Sequence, residues 1–163
     1  MKKNMLKLIS GFLLIFALSF NANAQFEIGG GLVFSTESGP TIGVDARVQF
    51  GVAETFRIAP SLNYLFKSDG VSILEINGDV HYPFAVTESV TIYPIGGLNI
   101  TRISVDLGFG SGSDSEIGIN LGGGVNFNIT ESIRAFAELK AVVLIDGYSP
   151  IIIGAGVLFP IGG

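Results

Sequence analysis

The sequence predicts an all-β fold, a closed eight-stranded antiparallel up-and-down transmembrane β-barrel, on three observations. Apolar residues recur at every second position over most of the chain after residue 25. Charged residues make up only 14% of the chain, and the polar positions are mostly Gly, Asn, Ser and Thr. The aromatic residues gather near the ends of the alternating segments. A period of two predicts strands, because successive side chains of a strand point to opposite faces.

Residues 1–24 have the composition of a secretory signal peptide. A basic start with three lysines precedes an apolar run over residues 8–20, and small residues follow it. A membrane anchor is the weaker alternative, because this run of about 13 residues is shorter than the roughly 20 that a transmembrane helix needs. We expect cleavage between Ala24 and Gln25, which leaves an outer-membrane β-barrel domain over residues 25–163.

The composition argues against several kinds of site and partner. The chain has no cysteine, which removes disulfides and thiolate metal ligands. Three of its nine basic residues lie in the predicted leader, whereas all 14 acidic residues follow it. Nucleic acid is therefore not an expected partner.

The alternation is cleanest in two segments, residues 41–50 and 116–129. The apolar face of the first segment consists of Ile42, Val44, Ala46, Val48 and Phe50. The apolar face of the second consists of Ile117, Ile119, Leu121, Gly123, Val125, Phe127 and Ile129. A helix could not separate these residues from the polar residues between them.

Six further segments show the same pattern less purely. They are residues 26–34, 56–66, 73–82, 90–101, 133–144 and 151–159. Each is close to the roughly 9–11 residues that a tilted strand needs to cross a bilayer. The sequence therefore predicts eight membrane strands.

The connections predict the orientation of the barrel. Short polar turns with a glutamate recur near residues 54, 88 and 131, so they lie at one end together with both termini. Periplasmic turns are short in such barrels, so this end is predicted to be periplasmic. The outer connections are then residues 35–40, 67–71, 102–114 and 145–150. Only 102–114 is long, and its Gly/Ser-rich centre at 108–113 predicts a flexible loop.

Alternation makes one face apolar without deciding whether that face meets lipid or a soluble core. A soluble, lipocalin-like barrel would expose its polar face to water, and that face would be rich in Lys and Glu. After residue 25 the only lysines are Lys67 and Lys140. This scarcity favours the membrane barrel. Its sheet is expected to close, because an open edge in hydrocarbon would leave backbone groups unpaired.

The positions of the aromatic residues favour the same choice. Rings at both membrane interfaces are typical of lipid-facing girdles, whereas a soluble core would spread them along the strands. At the predicted periplasmic ends lie Phe26, Phe50, Phe56, Tyr82, Phe84, Phe127 and Phe159. At the opposite ends lie Phe34, Tyr64 and Phe66.

The chain resembles the OmpA/OmpX-type family of small outer-membrane barrels in its strand number, its alternation and its glycine-rich strands. The resemblance is carried by the glycine-rich segment 118–125 and by the last strand, 152–159, which is similar to the C-terminal signal of such barrels. The chain departs from that signal by continuing through residues 160–163. The resemblance implies a location in the outer membrane, with the lipid bilayer and the barrel assembly machinery as partners.

The predicted lumen carries charges of both signs. They are Glu27, Asp45, Arg47, Arg57, Glu75, Asp79, His81, Glu116, Arg134, Glu138 and Lys140. Side chains fill the interior of an eight-stranded barrel, so we expect a self-paired polar network, with a gated ion path as the alternative. Tight-turn registers predict that Arg57 pairs with Asp79.

A catalytic or metal site is not predicted. His81 is the only histidine, and Asp79 shares its strand face, so an acid–base couple is one interpretation of the pair. A single histidine with scattered carboxylates has neither a catalytic set nor metal-ligand spacing. No cofactor is expected.

Three classes of function stay open. The sequence favours a non-enzymatic, monomeric barrel with a structural or surface-interaction role in the cell envelope. A narrow channel for ions or small solutes is the alternative, which the small strand number weakens because open aqueous lumens need about 16 strands. A membrane enzyme is the least favoured class.

Overall fold

The computed structural model describes residues 26–36, 40–53, 55–68, 70–106, 108, 110–145 and 149–161. The predicted leader and its cleavage site at Ala24 and Gln25 lie outside these residues. The strands are β1 (Phe26–Ser35), β2 (Thr41–Ala53), β3 (Phe56–Ser68), β4 (Val71–His81), β5 (Phe84–Ala85), β6 (Val90–Asp106), β7 (Ser111–Thr130), β8 (Ile133–Leu144) and β9 (Ile151–Ile161). Over the ranges given above, no helix is long and apolar enough to span a membrane.

Eight of these strands close into an antiparallel barrel. The sheet order is β4-β3-β2-β1-β9-β8-β7-β6-β5, and an additional pairing between β4 and β6 closes the ring. The two-residue strand β5 pairs only with β6, opposite Thr91 and Ile92. The predicted fold class is therefore confirmed, with β5 as a small addition in the connection between β4 and β6.

The first and last strands pair with each other, so both ends of the barrel sequence lie at the same rim. Phe26 pairs with Ile161, and Ser35 pairs with Ile152. We call the rim that carries Phe26 and Ile161 the terminal end, and the opposite rim the loop end. The connections β2–β3, β4–β6 and β7–β8 lie at the terminal end, as the sequence pattern predicted.

The loop predicted over residues 102–114 is instead a long hairpin. Strand β6 continues to Asp106 and β7 begins at Ser111, with these two residues paired. Residues 102–105 alternate polar and apolar side chains, and cross-strand pairing gives their backbone groups partners that a loop would not. Gly108 makes the turn with a φ of 82°. Because β7 pairs with β8 only from Gly118 onward, the β7 arm of the hairpin extends past the end of β8, whereas its β6 arm stays paired with β4 up to Val105.

The structure decides which face of the sheet points outward. The exposed large side chains are apolar members of the alternating pattern, such as Leu32, Leu62, Leu98 and Leu121, each about half or more exposed. Their polar neighbours in sequence are buried inside the barrel. Apolar side chains outside and polar side chains inside are the arrangement expected of a barrel in the hydrocarbon core of a membrane.

Most of the predicted aromatic girdle is exposed at the barrel rims. At the terminal end, the rings of Phe56 and Tyr82 lie 5.0 Å apart and those of Tyr82 and Phe84 4.7 Å apart. At the loop end, Tyr64 and Phe66 lie 5.9 Å apart. Phe50 is the exception, because it is only 5% exposed. It precedes the register shift between Gly51 and Ala53, where β2 departs from regular pleating.

The loop-end half of the barrel interior contains an apolar cluster, which the sequence analysis did not predict. Six buried side chains pack together there, and Val71 and Ile103 pack against them at lower burial. The six are Val33, Leu65, Ile73, Val142, Leu144 and Ile152. We call this cluster the apolar seal. Its members alternate with outward-facing residues along their strands, so they point into the barrel.

Candidate functional site: the barrel lumen

The nine residues predicted to form the polar lumen network all lie on inward-facing positions. Seven are buried, namely Glu27, Asp45, Arg47, Glu75, Asp79, Glu138 and Lys140. Arg57 and Arg134 are half-buried at the terminal end. Two further predicted lumen residues differ, because His81 is buried while Glu116 is half-buried beyond the end of β8.

The central group is built around the guanidinium of Arg47. Its Nε donates to Asp45 Oδ1 at 2.6 Å, and its Nη1 donates to Glu138 Oε1, also at 2.6 Å. The guanidinium carbon lies 3.8 Å from the centre of the Phe136 ring. Arg47 thus links β2 to β8 over the two intervening strands. A charge-assisted pair of this geometry is strong once its desolvation is offset by such bonds.

Tyr93 extends this group toward the terminal end. Its hydroxyl donates to Glu138 Oε1 at 2.9 Å, and its ring stacks on His81 with centroids 4.6 Å apart. The ring lies over Gly124, its cross-strand partner. A Cβ at Gly124 would lie 2.5 Å from Tyr93 Cζ, so this position requires glycine.

A second group is a ladder of asparagines that leads to Asp79. Asn77 Oδ1 accepts bonds from Asn99 at 2.9 Å and from Asn120 at 2.8 Å. Asn120 also donates to Asp79 Oδ1 at 2.6 Å, and Lys140 Nζ lies 3.1 Å from Asp79 Oδ2. Asp79 is therefore already engaged and is not free to act as a base for His81.

The third group lies at the terminal end. Arg134 Nη1 lies 2.6 Å from Glu27 Oε1 as an ion pair, although the two atoms are not aligned as a hydrogen bond. Arg57 Nη1 lies 3.8 Å from Glu27 Oε2. The predicted pairing of Arg57 with Asp79 is wrong. The register places Arg57 opposite His81, and barrel closure brings Glu27 of β1 to it instead.

Glu75 stands apart from these groups. It is fully buried, and its Oε2 accepts a bond of 2.7 Å from Asn63 Nδ2. Among the described residues, no Lys or Arg side chain lies within ion-pair distance of Glu75.

The sequence analysis missed the asparagines as members of the lumen network. Asn63, Asn77, Asn99, Asn120 and Asn126 are each 2% exposed or less. The signal that could have found them is parity, since each occupies the same strand face as a predicted lumen charge. The predicted network contained only charged side chains, whereas these asparagines take part in most of the buried side-chain hydrogen bonds of the lumen.

The lumen is filled by these side chains. A cavity of about 10 Å³ remains between Arg47, Asn63, Glu138 and Lys140 on one side and the apolar seal on the other, which is room for about one water. Among the described residues, no group of three or more His, Asp or Glu side chains could hold a metal ion. The described lumen side chains pair with one another and fill the interior, and no nucleophile–base pair is found among them.

Comparison with known proteins gives matches among solved structures alone. No family model matches the chain, and no curated protein matches it in sequence. The N-terminal β-barrel domain of Pseudomonas aeruginosa OprF superposes with a TM-score of 0.68 at 18% identity, covering 85% of this chain and 100% of that domain. Neisserial surface protein A gives a TM-score of 0.65 at 20% identity, covering 85% of this chain and 97% of that one.

A third match is Ail, the attachment invasion locus protein of Yersinia pestis. Its TM-score is 0.63 at 15% identity, covering 85% of this chain and 97% of Ail. Likeness at these identities concerns the fold. The closed barrel, its apolar exterior and these matches agree: the chain has the fold of the small eight-stranded outer-membrane β-barrels.

Proposed function

We propose that this protein is a non-enzymatic outer-membrane barrel with a structural or surface-interaction role in the cell envelope and a lumen that does not conduct. The single observation that carries the proposal is the closed interior. Ion pairs fill its centre and terminal end, and the apolar seal fills its loop end. An ion crossing this lumen would have to break buried pairs and then pass a dry apolar section, both of which are costly.

The names of the three similar proteins support a structural or surface role. Their names describe a β-barrel domain, a surface protein and an attachment invasion locus protein. We extend this kind of role to the present chain as part of the proposal. The lipid bilayer and the barrel assembly machinery are its expected partners, and we expect it to be a monomer.

The β6–β7 hairpin gives the surface-interaction role a physical basis. The part of its β7 arm that extends past β8, residues 111–116, is polar and largely exposed, and the exposed Arg102 lies opposite this arm on β6. Arg102 Nη2 donates to Ser113 Oγ across the hairpin at 3.1 Å. A paired, polar projection at the predicted outer rim would present a fixed surface to the outside.

Single-channel recording on the refolded mature protein tests the sealed lumen. We expect no reproducible conductance from the wild type. Reproducible conductance that changes when Arg47→Gln or Glu138→Gln neutralises a lumen charge would favour the narrow-channel alternative. Arg102→Gln is the matched control, because it removes an exposed charge outside the lumen.

A gel assay tests the barrel in its expected environment. Refolded outer-membrane barrels resist SDS until they are heated, because every backbone pair of the closed sheet must open together. We expect an unheated sample to migrate differently from a boiled one. Identical migration after refolding into detergent and lipid would contradict the membrane-barrel proposal.

A further inference from the structure

The charges inside the barrel do not balance. Leaving aside Glu116, which lies beyond the end of β8, five lumen carboxylates face four lumen cations among the described residues. Four carboxylates have a cation within 4 Å: Glu27 with Arg134, Asp45 and Glu138 with Arg47, and Asp79 with Lys140. The remaining carboxylate is Glu75. A fully buried carboxylate without a counter-charge is strongly unfavourable, so one positive charge must be taken up.

Glu75 lies where the lumen changes from polar to apolar. Strands β3 and β4 pair Leu65 with Ile73 and, at the next inward position, Asn63 with Glu75. Leu65 and Ile73 belong to the apolar seal. The Asn63–Glu75 pair is thus the first polar layer beneath the seal.

The two side chains of this layer have complementary free atoms. Asn63 Nδ2 donates to Glu75 Oε2 at 2.7 Å, whereas Glu75 Oε1 and Asn63 Oδ1 are both buried without a hydrogen-bond partner. Both are acceptors while Glu75 is ionised, so neither can satisfy the other. A carboxylic acid changes this, because its O–H is a donor and a carboxamide offers one donor and one acceptor.

We propose that Glu75 is a proton-binding site of the folded barrel, in which the neutral carboxylic acid and the Asn63 amide form a doubly hydrogen-bonded pair. The proton comes from solvent water during folding and resides on Glu75 Oε1, from which it is donated to Asn63 Oδ1. One proton balances the lumen charge and satisfies both free oxygens.

A proton fits this position better than a metal cation. The cavity beside Asn63 has a volume of about 10 Å³, which accommodates about one water and no hydration shell around a cation. The nearest lumen groups on the flanking strands, Asn63 on β3 and Thr101 on β6, are neutral. The charged groups that act on Glu75 are Lys140, Asp79 and Asp45, and each of these already has an ion-pair partner.

The site makes the apolar seal sensitive to pH. Removing the proton leaves a bare carboxylate next to Leu65 and Ile73, and water must then enter the lumen to solvate it. The folded barrel holds this proton and the unfolded chain releases it near neutral pH, so stability falls as the pH rises. This inference concerns the interior and holds whether or not the barrel has the proposed surface role.

Infrared difference spectroscopy on the refolded full barrel tests the proposal. At neutral pH we expect the carbonyl band of a protonated carboxylic acid in the wild type and its absence in Glu75→Gln. Asn63→Ala should shift that band, because the acid loses its amide partner, whereas a merely structural role would leave the band in place. Glu138→Gln, which removes a paired carboxylate, should not affect the acid band.

Unfolding measurements give the second arm. Glu75→Gln is uncharged at every pH, so we expect its urea midpoint to match that of the wild type in acidic buffer, where the unfolded wild-type chain also keeps the Glu75 proton, and to exceed it at neutral pH, where the unfolded chain releases that proton. The proposal is overturned if the wild type lacks the acid band at neutral pH, or if Glu75→Gln lowers the midpoint as Glu138→Gln does. It is also overturned if the wild-type midpoint depends on sodium in place of choline, since that dependence would assign the positive charge to a metal cation.

Discussion

Arg47 and Glu138 stand 91 residues apart in the sequence, and a hydrogen bond of 2.6 Å joins them inside the barrel. The same guanidinium holds Asp45 at 2.6 Å, so one cation serves two buried carboxylates. Both partners are nearly inaccessible to solvent. The lumen therefore depends on a contact that exists only when the sheet is closed, since β2 and β8 are not neighbours in the sheet.

Replacing Arg47 with Met should destabilise the barrel strongly. The variant leaves Asp45 and Glu138 buried without their cation, which costs about 3–5 kcal/mol. Urea unfolding in lipid measures the change. Circular dichroism can follow it, because the chain has no tryptophan for a fluorescence signal. Arg102→Met is the exposed control and should change the free energy of unfolding by less than about 0.5 kcal/mol.

A double-mutant cycle on Arg47→Met and Glu138→Gln isolates the pair. We expect the double variant to be less destabilised than the sum of the single variants, because the second substitution removes a charge that the first has left unpaired. Additive effects would contradict a direct interaction between these two residues.

The hydroxyl of Tyr93 should contribute measurably to stability. Tyr93→Phe keeps the ring that stacks on His81 but removes the hydrogen bond to Glu138. A bond to a charged acceptor contributes about 1.5–3 kcal/mol, and we expect a loss of free energy of unfolding in that range. Tyr82→Phe at the rim is the matched control. An equal effect in both variants would argue against a specific role for the Tyr93 hydroxyl.

Two adjacent glycines should respond differently to the same substitution. Gly124→Ala drives a methyl group into the Tyr93 ring and should destabilise the barrel by about 1–3 kcal/mol. A Cβ at Gly123 would meet only a backbone oxygen of Tyr93 at 3.4 Å, so Gly123→Ala should be nearly neutral. Thermal unfolding in detergent compares them, and a larger effect at Gly123 would contradict the lumen packing described above.

The apolar seal can be tested with two leucines of strand β3. Leu65 is fully buried in the seal, whereas Leu62 is 49% exposed on the outer face. Leu65→Ala should destabilise by about 2–5 kcal/mol, because it leaves a cavity that its neighbours cannot fill. Leu62→Ala should cost clearly less, since lipid can fill the space. Equilibrium unfolding of both variants checks the difference, and equal losses would argue against a tightly packed seal.

A charged substitution on the outward face should destabilise the barrel more when it lies closer to the centre of the bilayer. Leu121 lies at the middle of β7 (Ser111–Thr130), and Ile129 lies near its terminal end. Leu121→Arg should cost about 2–4 kcal/mol in lipid, falling to about 0–1 kcal/mol for Ile129→Arg near the interface. The measurement is unfolding from bilayers, and equal costs at both positions would contradict a membrane-spanning β7.

The strand pattern could be predicted from the sequence because it is local. Alternation in residues 41–50 and 116–129 assigned each side chain to a face without knowledge of any partner. The lumen charges were found by the same parity, and the structure places all nine of them on inward positions. The aromatic ends were predicted for the same reason, apart from Phe50.

Contacts between strands were harder to predict. The pairing of Arg57 with Asp79 failed because it considered only neighbouring strands, while closure brought Glu27 to Arg57 and Lys140 to Asp79. The β6–β7 hairpin was missed because glycine and serine predict a loop until a partner strand is available to satisfy their backbone groups.

By itself, then, the sequence determined the number of strands, their direction and the composition of each face, because period-two alternation and turn residues act within a few positions of each other. Scarce lysine and the aromatic strand ends also favoured an outward apolar face, which the structure confirms. The tertiary structure alone decided that the seal lies at the loop end and that Glu75 has no counter-ion among the described residues. Each of these depends on strand register and on closure of the ring, which bring together residues that no local pattern connects.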